Sequence, residues 1–209
     1  GNPNTGKSTI FNALTGLKQH TGNWPGKTVG MARGVFRVGM YKYLLVDLPG
    51  TYALRTASLE EKITRDFLLS GGPNVTVVVA DACRLERNLY LILQVLEITG
   101  KAVVCLNMLD DARRRGICVD VRALEGELGV PVVAAAARSG LGLQELKRKV
   151  SALARGEITT CPRRVKYDPD IEEQLASQNG TRWLALEALL GQQKPGEGSF
   201  LERFKYCPV

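Results

Sequence analysis

The chain opens with Gly1-Asn2-Pro3-Asn4-Thr5-Gly6-Lys7-Ser8-Thr9, in which Gly1, Gly6, Lys7 and Ser8 fit the spacing G-x-x-x-x-G-K-[ST]. Such a stretch holds phosphate. Its glycines let the backbone turn tightly with N–H groups pointing inward, and the helix that begins near Lys7 adds its positive N-terminal end. Lys7 supplies a mobile positive charge, and Ser8 offers a hydroxyl oxygen to Mg²⁺. Two further elements follow in order. Asp47-Leu48-Pro49-Gly50 matches D-x-x-G: the carboxylate can hold Mg²⁺ through a water, and the N–H of Gly50 can sense a γ-phosphate. Asn107-Met108-Leu109-Asp110 matches N-x-x-D. The Asp110 carboxylate can accept hydrogen bonds from N1 and the exocyclic N2 of guanine, a pair that adenine does not offer.

Three such motifs need a sheet whose strand ends bring them together. "STIFNALTGL" continues the phosphate loop as a helix ended by Gly16, and "KQHTGNWPGKTVG" reads as a long loop. "ARGVFRV" and "KYLLVDLPG" read as strands joined by a turn at Gly39, and "SLEEKITRDFLLS" as an amphipathic helix with Leu59, Ile63 and Phe67 on one side. "VTVVVAD" lacks period-2 alternation and reads as a fully buried strand. Helix "LERNLYLILQVLEITG", strand "KAVVCLNMLD", a helix around "VDVRALEGELG", strand "PVVAAAA" and helix "LQELKRKVSALARG" follow. Strands alternating with helical crossovers predict an α/β fold, a P-loop NTPase with a doubly wound, mostly parallel sheet, and ligands bind such sheets at the carboxyl ends of the strands. Asp47, Asn107, Asp110, Ala137 and Arg138 all fall at or just after predicted strand ends.

Composition bounds the rest. At 209 residues and 44% hydrophobic, the chain can bury one α/β core and carry an appendage. A net charge of +7 suits contact with an anionic surface or simply a solvated basic face. Cysteines at 83, 105, 118, 161 and 207 form no C-x-x-C pair, and Cys83 and Cys105 read as small core residues of a reduced protein. His20 alone makes no metal site. No apolar run approaches the length of a membrane span, and no signal peptide is present. From Cys161 the composition shifts to a proline-containing linker, after which Trp183, Leu186 and Leu190 mark one face of a short helix. The expected domains are 1–156, a linker at 157–166, and a small all-α domain at 167–209. A phosphate loop ordinarily follows a buried strand; without it the neighbouring ladders would be unpaired and the core open, so the sequence is expected to be a fragment lacking upstream residues and a membrane-spanning continuation downstream.

"GNPNTGKSTIFNALTG", "TGNWPGKTVG", "DLPGTYAL", "SLEEKITRDFLL", "LERNLYLILQVLE", "CLNMLDDARRRGICVD" and "RWLALEALLG" together resemble the cytoplasmic N-terminal region of the FeoB ferrous-iron transporters, a GTPase domain followed by a helical domain. The resemblance runs from residue 1 to about 191. It implies a GTPase acting with GTP/GDP, Mg²⁺ and K⁺, in which Asn4, Lys7, Thr28 and Gly50 carry the chemistry. Thr28, with Ser8 and Asp47, would hold Mg²⁺. Asn4 would help bind K⁺, with carbonyls around Asn23 and Trp24 completing the shell, where the cation offsets charge between the β- and γ-phosphates. Gly26, Lys27 and Val29 flank Thr28 in the first switch loop, while Met108 and the Ala136-Ala137-Arg138 loop line the base. Implied partners are a guanine nucleotide and a transmembrane iron-permeation domain of the same full-length protein at the cytoplasmic face of the bacterial inner membrane. A homo-oligomer stays open, and no nucleic acid is expected.

The chain departs from related patterns in ways that carry consequences. Thr51 and Tyr52 stand where Ras-like enzymes place a water-orienting Gln, and neither is an adequate base at neutral pH, so slow hydrolysis is expected. Ala136 replaces the usual Ser of a Ser-Ala-Arg loop, leaving the backbone N–H of Ala137 as the available donor to the base, and Met108 stands where many GTPases have Lys. Together these predict weak retention and quick exchange of GDP, with affinity in the micromolar range or weaker, about −8 kcal/mol or less favourable. Two other readings fit the residues: a soluble GTPase acting on ribosome or tRNA, and a nucleotide-binding platform that has lost hydrolysis.

Overall fold

Helix α1 (Lys7–Thr15) begins directly after Gly6, whose φ of 86° turns the phosphate loop into the helix, and ends at Gly16 in the left-handed region at φ 64°. The computed structural model describes residues 1–16, 19–24, 29–55, 58–177 and 181–192. Contacts divide the chain into two units, Gly1–Arg163 and Arg164–Val209.

In the first unit, β2 (Gly30–Val38) and β3 (Tyr41–Asp47) form the expected antiparallel hairpin, turning at Gly39 with φ 56°. The segment expected as a loop is corrected: β1 (Gln19–Asn23) pairs antiparallel with β2, Asn23 opposite Gly30. Gly, Asn and Gln in this stretch have low strand propensity, and the pairing comes from the template edge of β2. Helix α2 (Leu59–Ser70) is capped by Ser58, whose hydroxyl accepts from Glu61 N–H at 3.2 Å. A second sheet is parallel, with β4 (Thr76–Asp81) beside β5 (Ala102–Asn107) and β5 beside β6 (Val132–Ala134). Its crossovers are α3 (Leu85–Ile98), after a 3₁₀ turn at Ala82–Arg84, and then α4 (Leu109–Arg114) with α5 (Val121–Leu128). The last helix of the unit is α6 (Leu143–Ala154). This is a P-loop GTPase fold, with its sheet in two three-stranded parts.

Among the described residues β3 pairs only with β2, and β4 only with β5. Leu45 of β3, Val77 and Val79 of β4, Leu14 of α1 and Leu146 and Val150 of α6 line a shared cavity of about 550 Å³ between the two parts. Around it, α6 holds the hairpin: Ser151 Oγ lies 2.7 Å from Tyr43 Oη, and Tyr43 stacks on Phe36 at 5.1 Å. Strand β5 is buried along its whole length, which fits its unbroken run of apolar residues. Cys105 within it has its thiol pushed up to about 12 by burial, as a core residue would, whereas Cys83 is only partly buried.

Residues 157–163, expected as linker, are hydrogen-bonded onto the first unit. Thr160 Oγ1 donates to Gly100 O at 2.6 Å, Cys161 N–H to Gly129 O at 3.0 Å and Arg163 N–H to Leu128 O at 3.0 Å. The second unit contains α7 (Pro169–Ser177) and α8 (Arg182–Gln192). Trp183 and Leu186 are buried there, while the side chain of Leu190 lies outside the described residues. Arg182 grips both carboxylate oxygens of Glu172 at 2.7 and 2.8 Å, and this hydrogen bonding holds the Glu172 carboxyl down to about 2. Among the described residues no helix is long and apolar enough to cross a membrane.

Candidate functional site

The parallel register sets Asn107 opposite Asp81 at the carboxyl end of the sheet, and the three motifs meet there. The phosphate loop is a cradle shaped for backbone approach. Asn4 (φ 62°) and Gly6 both occupy the left-handed region. A Cβ on Gly6 would sit on the Asn107 amide nitrogen, so only Gly fits. Thr5, buried, donates its hydroxyl to Asn2 O at 2.9 Å, and Lys7 Nζ reaches the same carbonyl at 3.4 Å. Asn2 is buried and donates through Nδ2 to Arg87 O at 3.4 Å, while its Oδ1 has no hydrogen-bond partner among the described residues. Asn4, Ser8 and Thr9 are exposed, with their side chains toward solvent at the mouth of the loop.

The D-x-x-G turn hangs on this loop. Thr51 N–H donates to Gly1 O at 3.2 Å, and a Cβ on Gly50 would run into Lys7 Nζ. Lys7 and Asp47 lie near enough for their charges to act on one another. Burial pushes the Lys7 ammonium down and the Asp47 carboxyl up, and each charge partly offsets the shift of the other. Both groups thus gain from partners that stabilise their charged forms, an anion for Lys7 and a cation for Asp47. Neither Thr51 nor Tyr52 is disposed as a base. Thr51 is buried with its hydroxyl donated to Ala53 O at 2.5 Å, and the Arg87 guanidinium lies over the Tyr52 ring at 4.4 Å.

On the base side, Asn107 is a staple. It is 3% exposed, donates through Nδ2 to Thr5 O at 2.9 Å and accepts at Oδ1 from Ala137 N–H at 3.0 Å. Each end of its amide makes one bond to protein, and together they join the phosphate loop to the Ala136-Ala137-Arg138 loop. This corrects the expectation for Ala137, whose N–H is already taken. Ala136 N–H donates to Leu141 O at 3.1 Å. Arg138 N–H, next in the chain, has no hydrogen-bond acceptor among the described residues. Met108 adopts φ 62° as it leads into α4, which sets Asp110 in the first turn of that helix. Leu109 N–H donates to Ala135 O at 3.1 Å and ties this loop to the end of β6.

In the first switch region, Trp24 N–H donates to Val29 O at 2.9 Å, and Asn23 ends β1. Gly26, Lys27 and Thr28 lie outside the described residues. Sequence reading missed Gln94 and Arg87, which bear on the site through the D-x-x-G segment. Gln94 Oε1, buried on α3, accepts from Leu54 N–H at 2.8 Å. A polar residue on the apolar face of that predicted helix was the available signal. Among the described residues no cluster of His, Cys, Asp or Glu could hold a metal by itself. A hard cation at Ser8 and Asp47 would therefore complete its shell with water and phosphate oxygens, as Mg²⁺ does.

Comparison with known proteins agrees with this geometry. The family model FeoB_N, described as ferrous iron transport protein B, matches residues 1–150. The Fe(2+) transporter FeoB of Salmonella typhimurium is 41% identical over 202 residues, covering 91% of this chain and 26% of that protein, so the chain spans about a quarter of its length. Among solved structures, the cytosolic domain of the T. maritima FeoB iron transporter in GDP form II is 37% identical with a TM-score of 0.84, covering 91% of this chain and 79% of that one. The same domain in its GMPPNP form is 36% identical with a TM-score of 0.84, covering 100% and 84%. A phosphate loop, a D-x-x-G turn and an N-x-x-D loop gathered on one sheet edge, with a family match over most of its length, make this chain a member of the FeoB family, in the region of its N-terminal GTPase domain.

Proposed function

We propose that this chain binds GTP with Mg²⁺ and hydrolyses it slowly with K⁺ stimulation, as the nucleotide-sensing cytoplasmic region of a ferrous-iron transporter in the bacterial inner membrane. The observation that carries the reading is the Asn107 staple, which joins the phosphate loop to the base loop. The T. maritima relatives were solved with GDP and with GMPPNP, which supports a guanine nucleotide here.

Each residue then has a task. The loop from Gly1 to Thr9 wraps the β-phosphate with backbone N–H groups, and the Lys7 ammonium gains a counter-charge in the phosphates. Ser8 and Asp47, with Thr28, would hold Mg²⁺, which would supply screening of the charge on the transferred phosphoryl group. Gly50 N–H meets the γ-phosphate, in a turn already hung on Gly1 O. Asp110 accepts from N1 and N2 of guanine, and Arg138 N–H supplies the donor to the base carbonyl that Ala137 cannot. Asn4, with carbonyls of Asn23 and Trp24, offers oxygens to a K⁺ ion. With the Thr51 hydroxyl tied to Ala53 O and Arg87 stacked on the exposed Tyr52, this segment has no amide side chain to orient water where Ras-like enzymes place Gln, which suits a slow switch better than a pump that spends GTP on every ion. The iron-permeation domain of the longer protein is the partner that would read the switch. The ribosome or tRNA alternative is not favoured by the relatives.

Steady-state GTP turnover in K⁺ against Na⁺ buffer tests the assignment. K⁺ should raise kcat in the parent and not in Asn4→Ala; equal rates in both buffers would reject the K⁺ role.

A further inference from the structure

Helix α2 touches both chain segments that flank the γ-phosphate position, through side chains one turn apart. Phe67 meets the Trp24 indole edge-on, with ring centroids 5.4 Å apart and planes at 74°. Thr64, buried on the same helix, donates its hydroxyl to Pro49 O at 3.3 Å, inside the D-x-x-G turn. Residues three apart share a helix face, so one face of a capped helix holds both segments. Trp24 is also fastened by its N–H to Val29 O, yet its indole Nε1–H has no hydrogen-bond partner among the described residues. Packing against Phe67, not a side-chain hydrogen bond, therefore locates the ring.

We propose that Phe67 and Thr64 are positioning residues that make α2 a common strut, so that a shift of the D-x-x-G turn on gain or loss of the γ-phosphate is passed to Trp24. The inference rests on the reading of this chain as a guanine-nucleotide switch. Neither residue belongs to the phosphate or base loops. Their loss should therefore spare affinity for GDP, which has no γ-phosphate, and weaken what depends on GTP. A residue that only filled core would depress both together.

The chain has two tryptophans, so Trp183→Phe leaves Trp24 as the sole reporter. Its emission would be recorded without nucleotide, with GDP and with GMPPNP, each with Mg²⁺, beside steady-state GTP turnover. GMPPNP should change the emission relative to GDP. Phe67→Leu should red-shift the nucleotide-free emission, remove the GDP-to-GMPPNP difference and lower kcat about three- to tenfold, with Kd for GDP within about twofold. Phe67→Tyr should restore the difference. Thr64→Val should remove it without the red shift, and this variant decides the matter if Phe67→Leu fails to fold by circular dichroism. A difference that survives in Thr64→Val or Phe67→Leu, or a parallel fall in kcat and GDP affinity, would overturn the strut. A parent that binds and turns over GTP with no emission difference also overturns it while leaving the proposed function intact. A parent that binds no guanine nucleotide overturns both.

Discussion

The two rims of the site are built differently. The base rim is closed by neutral hydrogen bonds, most between buried residues: Asn107 to Thr5 and Ala137, Leu109 to Ala135, Ala136 to the exposed Leu141. The phosphate rim rests on charge. Lys7 and Asp47 are both displaced from their ordinary titration by burial, and the D-x-x-G turn is held by single bonds to three different elements, the phosphate loop, α2 and α3. A rim pre-formed by neutral hydrogen bonds selects its ligand by fit and by the few hydrogen-bonding groups it leaves over. A rim with unmet electrostatic demand responds to the ligand's charge, which is what a γ-phosphate sensor requires.

The contrast can be broken at its firmest point. Asn107→Ala would leave Thr5 O and Ala137 N–H buried and unpaired, at about 3–4 kcal/mol of stability, visible as a lowered thermal midpoint even without nucleotide. Lys7→Ala should do the opposite, leaving the nucleotide-free midpoint unchanged or raised while weakening GDP and GTP binding about a hundredfold by calorimetry. Asp110→Ala should cost about tenfold in GTP affinity but change ITP affinity less, because inosine lacks the exocyclic N2 that the carboxylate accepts from.

A smaller effect separates the rims by pH. Burial holds the Asp47 carboxyl above its ordinary range. In the nucleotide-free protein this raised value contributes stability that is present below the ordinary value of 3.8 and lost as pH rises through the folded value. Mg²⁺ needs the ionised form, so the Mg²⁺-dependent part of GTP affinity should fall as pH drops into the raised titration range of Asp47. Asp47→Asn should flatten that profile.

Much of this organisation was legible in residue order. Gly6 and Gly16 bracket α1 as start and stop, Gly39 turns the hairpin, and the unbroken apolar run of β5 announces a strand buried on both faces. The D-x-x-G and N-x-x-D motifs fall at the ends of β3 and β5, where doubly wound topology places ligand-binding groups. The rest depended on pairing that spacing does not encode. Strand β1 carries no alternation of its own and exists because β2 offers an edge. Asn107 and Ala137 each carry groups that could serve the base, and the fold joins them to one another. Residues 157–163 read as linker by composition, yet their backbone groups find partners on Gly129 and Leu128.

The most direct measurement of the central claim is calorimetric titration of the protein with GDP and, separately, with ADP in Mg²⁺ and K⁺ buffer. The account predicts a saturable one-to-one complex with GDP in the micromolar range and at least about a hundredfold weaker binding of ADP. Absence of a saturable GDP complex, or equal affinity for ADP, would contradict it.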